Sequence, residues 1–216
     1  VGSEMCIRDS PEGDNIIAVM GGTTMAIVAE QLTNLENSKR HNLFVPARGG
    51  IGEAVTVQAN SVSARMATKA SGNHRALYVP EQLSLATYNS LLNEPSIQEV
   101  LNLISQANCV IHSIGRALHM AARRKMTEQE LVMLKQANAV AESFGYFFNE
   151  NGEVVYKVPR IGIELKDLAN VPIILAIAGG KSKAKAIRAY MKNAPKQTWL
   201  ITDEAAANEI LKGISL

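Results

Sequence analysis

Short apolar segments alternate with helix-period segments along nearly the whole chain, and this alternation constrains the fold more than any other feature. Asn15–Met20, Asn42–Pro46, Ala76–Val79, Asn108–His112, Val171–Ala178 and Thr198–Ile201 read as strands. They are rich in β-branched residues and apolar at successive positions, the pattern of strands buried on both faces. Between them, Met25–Leu32, Thr56–Lys69, Ser96–Gln106, Thr127–Ala137, Lys181–Lys192 and Asp203–Leu211 carry helical spacing. Val62, Met66 and Lys69 mark the second of these helices. Ser96 with Glu99, and Thr127 with Glu130, are placed as capping boxes. Strands that alternate with helices in this way predict an α/β fold: a Rossmann-like, mostly parallel sheet with helices on both faces. Asn151-Gly152, set before the β-branched run Val154–Val158, signals a hairpin within a small insertion around Phe144–Gly162.

The composition fits one folded domain. Of 216 residues, 47% are apolar, and 22 Lys and Arg against 20 Asp and Glu leave a net charge of +2. That charge supplies no basic domain for wrapping nucleic acid. The apolar stretch Val171–Ala178 is far shorter than a membrane span. Two cysteines, Cys6 and Cys109, fit reduced cytoplasmic thiols, and Cys109, inside an apolar strand, reads as an inert buried one. Their spacing makes no zinc pattern, and His112 and His119 read as structural or surface residues. Residues 1–10 lack helix or strand period and read as a tag, linker or sequence scar. The domain is assigned to residues 11–216.

Three strand ends carry glycine: Gly21-Gly22-Thr23-Thr24, Arg48-Gly49-Gly50-Ile51-Gly52 and Gly179-Gly180-Lys181-Ser182-Lys183. In an open parallel sheet, ligands bind outside the carboxyl ends of the strands. Glycine there lets backbone N–H groups approach a ligand, and a following helix N-terminus favours anions. Each pair can also serve simply to turn the chain. Two loops with a cation beside the glycines point to a phosphate site. None is a nucleotide signature, since G-x-x-x-x-G-K-[ST] and G-x-G-x-x-G are both missing, so no cofactor and no metal is expected.

Lys181, Lys185, Arg188 and Lys192 fall on one solvated helix face, whereas Lys183 falls on the inward side with Ala184, Ile187 and Met191. An inward lysine at a strand's carboxyl end fits an anion. Arg123 reads as a phosphate clamp, because a guanidinium binds phosphate through two bonds. Arg124 and Lys125 read as a solvated charge run. Glu142, an acid in an apolar segment, either accepts from ligand hydroxyls or caps or pairs structurally. Trp199, at the start of the last strand, reads as a packing residue.

The ordered motifs GGTT (Gly21–Thr24), FVPARGGIGE (Phe44–Glu53), VQAN (Val57–Asn60), AVAESFGYFF (Ala139–Phe148) and AIAGGKSKAKAIRAY (Ala176–Tyr190) resemble the effector domain of SorC-type sugar-binding transcriptional regulators. The resemblance spans nearly the whole chain and is strongest to regulators of glycolytic genes in Gram-positive bacteria. It implies a fold similar to sugar-phosphate isomerases and deaminases. The function it implies is that of a repressor's effector domain, which senses a phosphosugar such as fructose 1,6-bisphosphate and changes assembly and DNA binding allosterically. By position, Gly22, Thr23, Thr24, Arg48, Gly49 and Gly50 would hold one phosphate. Arg123, Gly180 and Lys183 would serve the other, and Gln58 and Glu142 would meet sugar hydroxyls. The family pattern has Gly-Asp where this chain has Ala141-Glu142. The resemblance also implies a cytoplasmic homo-oligomer, dimer or tetramer, and operator binding only through a winged-helix domain absent from this chain. An isomerase- or deaminase-like enzyme is the alternative. Isomerisation needs a general acid–base pair, and beyond Glu142 no second group stands out, so no catalytic residue is assigned.

Overall fold

The computed structural model describes residues 12–33, 40–50, 54–80 and 84–212. The segment expected to be a tag, and Ile51–Glu53 of the second glycine loop, lie outside them. In chain order the regular elements are β1 (Gly13–Val19), α1 (Thr23–Gln31), β2 (Arg40–Pro46), α2 (Ala59–Lys69), β3 (Asn73–His74), α3 (Leu85–Leu92), α4 (Pro95–Ser105), β4 (Cys109–Ser113) and β5 (Gly115–Arg116). There follow α5 (Ala117–Arg123), α6 (Glu128–Gln136), β6 (Ala139–Ser143), β7 (Tyr146–Asn149), β8 (Val154–Lys157), β9 (Ile173–Ile177), α7 (Ala184–Lys192), β10 (Thr198–Ile201) and α8 (Glu204–Leu211). The parallel sheet has the order β10-β9-β4-β1-β2-β3, and a second sheet, antiparallel, has the order β5-β6-β7-β8.

The chain forms two compact units. One is the chain up to His112 together with Pro159–Leu175; the other is Ser113–Val158 together with the chain from Ala176. In the first unit, β1 pairs with β2 from Gly13↔Arg40 to Val19↔Pro46, and with β4 at Ile17↔Cys109 through Val19↔Ile111. Ile17, Ala18 and Val19 are all buried, as are Phe44, Val45 and Pro46. Successive burial on both faces is what their continuous apolar pattern demands. Helices α2 and α4 pack on β1 and β2, and α1 packs on α2. Val62 and Met66 enter this core, while Lys69 is exposed.

Two sequence expectations in this unit are corrected. Ala76–Val79 is not a strand; β2 gains only the short β3, through Leu43↔Asn73 and Phe44↔His74. The reason is a side chain. Asn60 Oδ1 accepts from Leu77 N–H at 2.9 Å, and Asn60 Nδ2 donates to Leu77 O at 3.0 Å, taking the groups a ladder would use. The Ser96–Glu99 capping box also does not form. The helix starts at Pro95, which is pre-set for the first helical position, with Glu94 as N-cap.

In the second unit the expected insertion is part of a larger element. The antiparallel sheet runs from Gly115 to Lys157 and joins β6 to β7 through Phe144-Gly145, both at positive φ (53° and 75°). This tight turn holds Ser143 opposite Tyr146. The expected hairpin at Asn151-Gly152 connects β7 to β8, with Asn149 Oδ1 accepting from the N–H groups of Asn151 and Glu153. A core of Ala117, Ala121, Leu134 and Phe147 lies beneath, and Phe147 meets the Tyr156 ring edge-on at 5.9 Å. Thr127 and Glu130 form the capping box expected of them. The Lys181–Lys192 helix opens with a 3-10 turn over Lys181–Lys183 before α7 begins at Ala184. Trp199 does not pack as expected; it is 64% exposed on β10.

Candidate functional site

The sequence-assigned residues fall into two groups, one in each unit. In the first, the loops after β1 and β2 leave the carboxyl ends of neighbouring parallel strands, tied by Ala47 N–H donating to Val19 O at 2.8 Å. Gly22 N–H donates to Val57 O at 2.7 Å, and a Cβ on Gly21 would sit 2.6 Å from that same carbonyl oxygen. Only glycine allows this approach, and it brings Gln58 beside the Gly21–Thr24 loop. Gly22 caps α1 at φ 120°, and the first turn of α1 contains Thr23 and Thr24 with no acidic residue and no side-chain cap. Such a turn presents N–H groups and the positive end of the helix dipole.

Arg48 is buried, with 4% of its surface exposed. Its backbone is fixed by a bridge to Gly162, and Gly49 N–H donates to Ile161 O at 2.9 Å. Gly49 has a packing reason of its own: a Cβ there would lie 2.0 Å from Val79 Cγ2. Gly50 N–H donates to Val79 O at 3.2 Å. The structure thus gathers Gly22, Thr23, Thr24, Arg48, Gly49, Gly50 and Gln58 on the loops at one end of adjacent strands. The glycines at 49 and 50 are already engaged in holding the loop.

In the second unit, Lys183 is half-buried between an exposed Lys181 and an exposed Lys185. Those two pair with Glu209 at 3.7 Å and with Glu150. The inward register predicted for Lys183 is therefore present, although it arises on the 3-10 turn. Desolvation, followed by the like charges of Arg116 and Arg123, holds the Lys183 ammonium below its usual range. Arg116 was not singled out by the sequence, because it lies seven residues from Arg123 on a strand too short to show periodicity.

Gly180, at φ 90°, turns the chain into this segment, but its N–H donates to Asp203 Oδ2 at 2.6 Å. Asp203 also caps α8 by accepting from Ala206 N–H at 2.8 Å. This carboxylate anchor of the third glycine loop was missed because Asp203 read only as the start of the last helix.

Arg124 corrects its sequence reading. It is not solvated: its Nη2 lies 2.9 Å from Glu142 Oε1, and each side chain is 5% exposed. The same Oε1 accepts from Gly145 N–H at 2.6 Å. Of the two readings open for Glu142, the structure supplies a structural pairing. Among the described residues no three His, Cys, Asp or Glu side chains gather as metal ligands, and no helix is long and apolar enough to cross a membrane.

A family model described as "Putative sugar-binding domain" matches residues 4–212. The chain is 50% identical over 207 residues to the central glycolytic genes regulator of Bacillus subtilis, covering 96% of this chain and 60% of that protein. It is 49% identical over 211 residues to the regulator of the same name from Priestia megaterium, covering 97% and 61%. The chain thus spans about 60% of the length of these relatives. Among solved structures, "the putative SorC family transcriptional regulator from Enterococcus faecalis" is 77% identical, with a TM-score of 0.91 over 96% of this chain and 84% of that one. The full-length sorbitol operon regulator SorC of Klebsiella pneumoniae shares the fold at 17% identity, with a TM-score of 0.85 over 97% of this chain and 69% of that one. By family match, identity and fold together, the chain belongs to the sugar-binding domain family of SorC-type transcriptional regulators.

Proposed function

We propose that this chain is the effector-sensing and oligomerisation domain of a cytoplasmic repressor of glycolytic genes, and that its effector is a phosphosugar, with fructose 1,6-bisphosphate the first candidate. The observation that carries the reading is Lys183 itself, a half-buried ammonium between two exposed lysines, whose charge is disfavoured by desolvation and then by the like charges of Arg116 and Arg123. A phosphate dianion there would relieve both the desolvation and the repulsion. Within the first unit, the acid-free first turn of α1, with no side-chain cap, supports a phosphate locus of its own, with Thr23, Thr24 and Arg48 as donors and Gln58 beside them. Operator recognition is assigned to the part of the longer relatives that this chain does not span. Effector binding would act on it by differential affinity for two assembly states.

A thermal-shift series tests the reading. Fructose 1,6-bisphosphate should raise the melting temperature in proportion to the logarithm of its concentration above Kd, because a ligand that binds only the folded state stabilises it by mass action. Incubation with fructose 6-phosphate or glucosamine 6-phosphate should give no product. Turnover of either sugar, or no stabilisation by any phosphosugar, contradicts the proposal.

A further inference from the structure

The third glycine loop is held by one carboxylate with both of its oxygens in use. Asp203 Oδ2 accepts from Gly180 N–H at 2.6 Å, and Asp203 Oδ1 accepts from Ala206 N–H at 2.8 Å. The donors belong to different elements: Ala206 lies in the first turn of α8, and Gly180 in the loop that leaves β9. Capping alone accounts for one oxygen, and Asn or Ser caps a helix about as well as Asp does. Only a carboxylate has two acceptor oxygens for two N–H donors. An amide turns its NH2 group on one of them, and a hydroxyl has a single oxygen to offer.

The loop is shaped around this carboxylate. A Cβ on Gly179 would lie 2.4 Å from Asp203 Oδ2, so only glycine lets the carboxylate approach. Gly180 takes φ 90°, and its carbonyl accepts from Lys183 N–H at 2.9 Å, closing the 3-10 turn over Lys181–Lys183. Asp203 therefore fixes the N–H of the residue whose C=O fixes Lys183. That turn leaves Lys183 half-buried while Lys181 and Lys185 face solvent. A second tie from the turn to α8, Lys181 Nζ to Glu209 Oε2 at 3.7 Å, runs between surface side chains and contributes little.

We infer that Asp203 is a positioning residue: its carboxylate, held by the cap of α8, sets the Gly180 turn that aims Lys183 inward. The inference rests on the reading of Lys183 as a contact for the effector's phosphate, and it makes α8 the support on which that contact is carried.

The test uses D203N, which separates the two oxygens. An N-cap amide directs its oxygen to the helix N–H groups, so α8 stays capped and the NH2 group meets Gly180 N–H, donor against donor. The first readout needs no ligand: NMR of the Gly180 and Ala206 amides and of the Lys183 ε-methylene group. In D203N the Gly180 amide proton should move upfield and the Lys183 resonances should shift, while those of Ala206 and Lys185 stay in place. The second readout is affinity for fructose 1,6-bisphosphate, which should fall about tenfold as the charge-assisted contact of Lys183 is weakened. In a K183M background the same substitution should cost no further affinity, because Asp203 acts through Lys183. A role in capping alone leaves D203N binding as the wild type does. Should D203N not fold, D203S, which also caps α8 and lacks the second oxygen, carries the same measurements. Unshifted Lys183 resonances in the folded variant, unchanged affinity where the wild type binds, or an equal loss with and without Lys183 overturns the inference. Shifted Lys183 resonances in a protein whose wild type does not bind fructose 1,6-bisphosphate support the positioning and refute the effector reading instead.

Discussion

Replacement of Lys183 by Met should separate ligand binding from folding. In the free protein this ammonium is half-buried, and desolvation together with Arg116 and Arg123 disfavours its charge. Loss of that charge removes an unfavourable interaction, so the folded state should be as stable as the wild type or slightly more so. The pH dependence has a definite sign. The folded-state pKa lies below the unfolded one, so the unfolded chain binds the proton more tightly, and stability rises with pH as the folded-state group deprotonates. K183M should lack that rise. The proposed contact of the same ammonium with a phosphosugar is a charge-assisted hydrogen bond of about 1.5–3 kcal/mol, so affinity should fall roughly tenfold to a hundredfold. Lys181 and Lys185, 70% and 65% exposed and paired only with surface carboxylates, should give changes within about 0.5 kcal/mol when replaced by Met. Calorimetric titration of the three variants with fructose 1,6-bisphosphate, beside their denaturation curves, is the assay. If K185M abolishes binding and K183M does not, the inward placement of Lys183 does not govern recognition.

Three further outcomes follow from the packing and titration of the fold. Gly49→Ala places a Cβ 2.0 Å from Val79 Cγ2, and the stiff valine cannot turn aside, so denaturation should show a loss of about 1–3 kcal/mol, partly recovered with V79A; an unaffected G49A shows that the loop has slack. Thr127→Ala removes the N-cap of α6 and should cost about 0.5–2 kcal/mol; equal denaturation midpoints contradict this. Burial, reinforced by the Glu130 hydrogen bond, pushes the Tyr156 hydroxyl up to about 12, so the stability it contributes is present below pH 10 and is lost as pH rises toward 12; an absorbance titration should show one fewer late-ionising tyrosine in Y156F than in the wild type, where buried Tyr190 also ionises late, and ionisation of Tyr156 near pH 10 refutes the assignment.

The parallel sheet was legible because its strands are buried on both faces, which writes a continuous apolar run at Ile17–Val19 and Phe44–Pro46. Capping chemistry was legible where one side chain decides it, at Thr127, and not where backbone geometry decides it, at Pro95. β3 was misplaced because the groups of Leu77 are taken by a side chain seventeen residues away, Asn60, which no local pattern encodes. The antiparallel sheet was under-read for a related reason. Its first strand has two residues, and its tight turn uses Phe144 at positive φ, a residue that sequence rules exclude there. Within the candidate site, the inward register of Lys183 followed from spacing. The burial of Arg124 did not: adjacent arginines look alike until a distant Glu142 selects one of them for burial.

The central claim is that the chain binds a phosphosugar through the phosphate. Isothermal titration of the wild-type chain with fructose 1,6-bisphosphate, fructose 6-phosphate and fructose tests it most directly. The account predicts affinity in that order, with each phosphate adding about 1.5–3 kcal/mol, roughly tenfold or more per step. Equal affinity for the phosphorylated sugars and for fructose would leave the phosphates without a role and contradict the account.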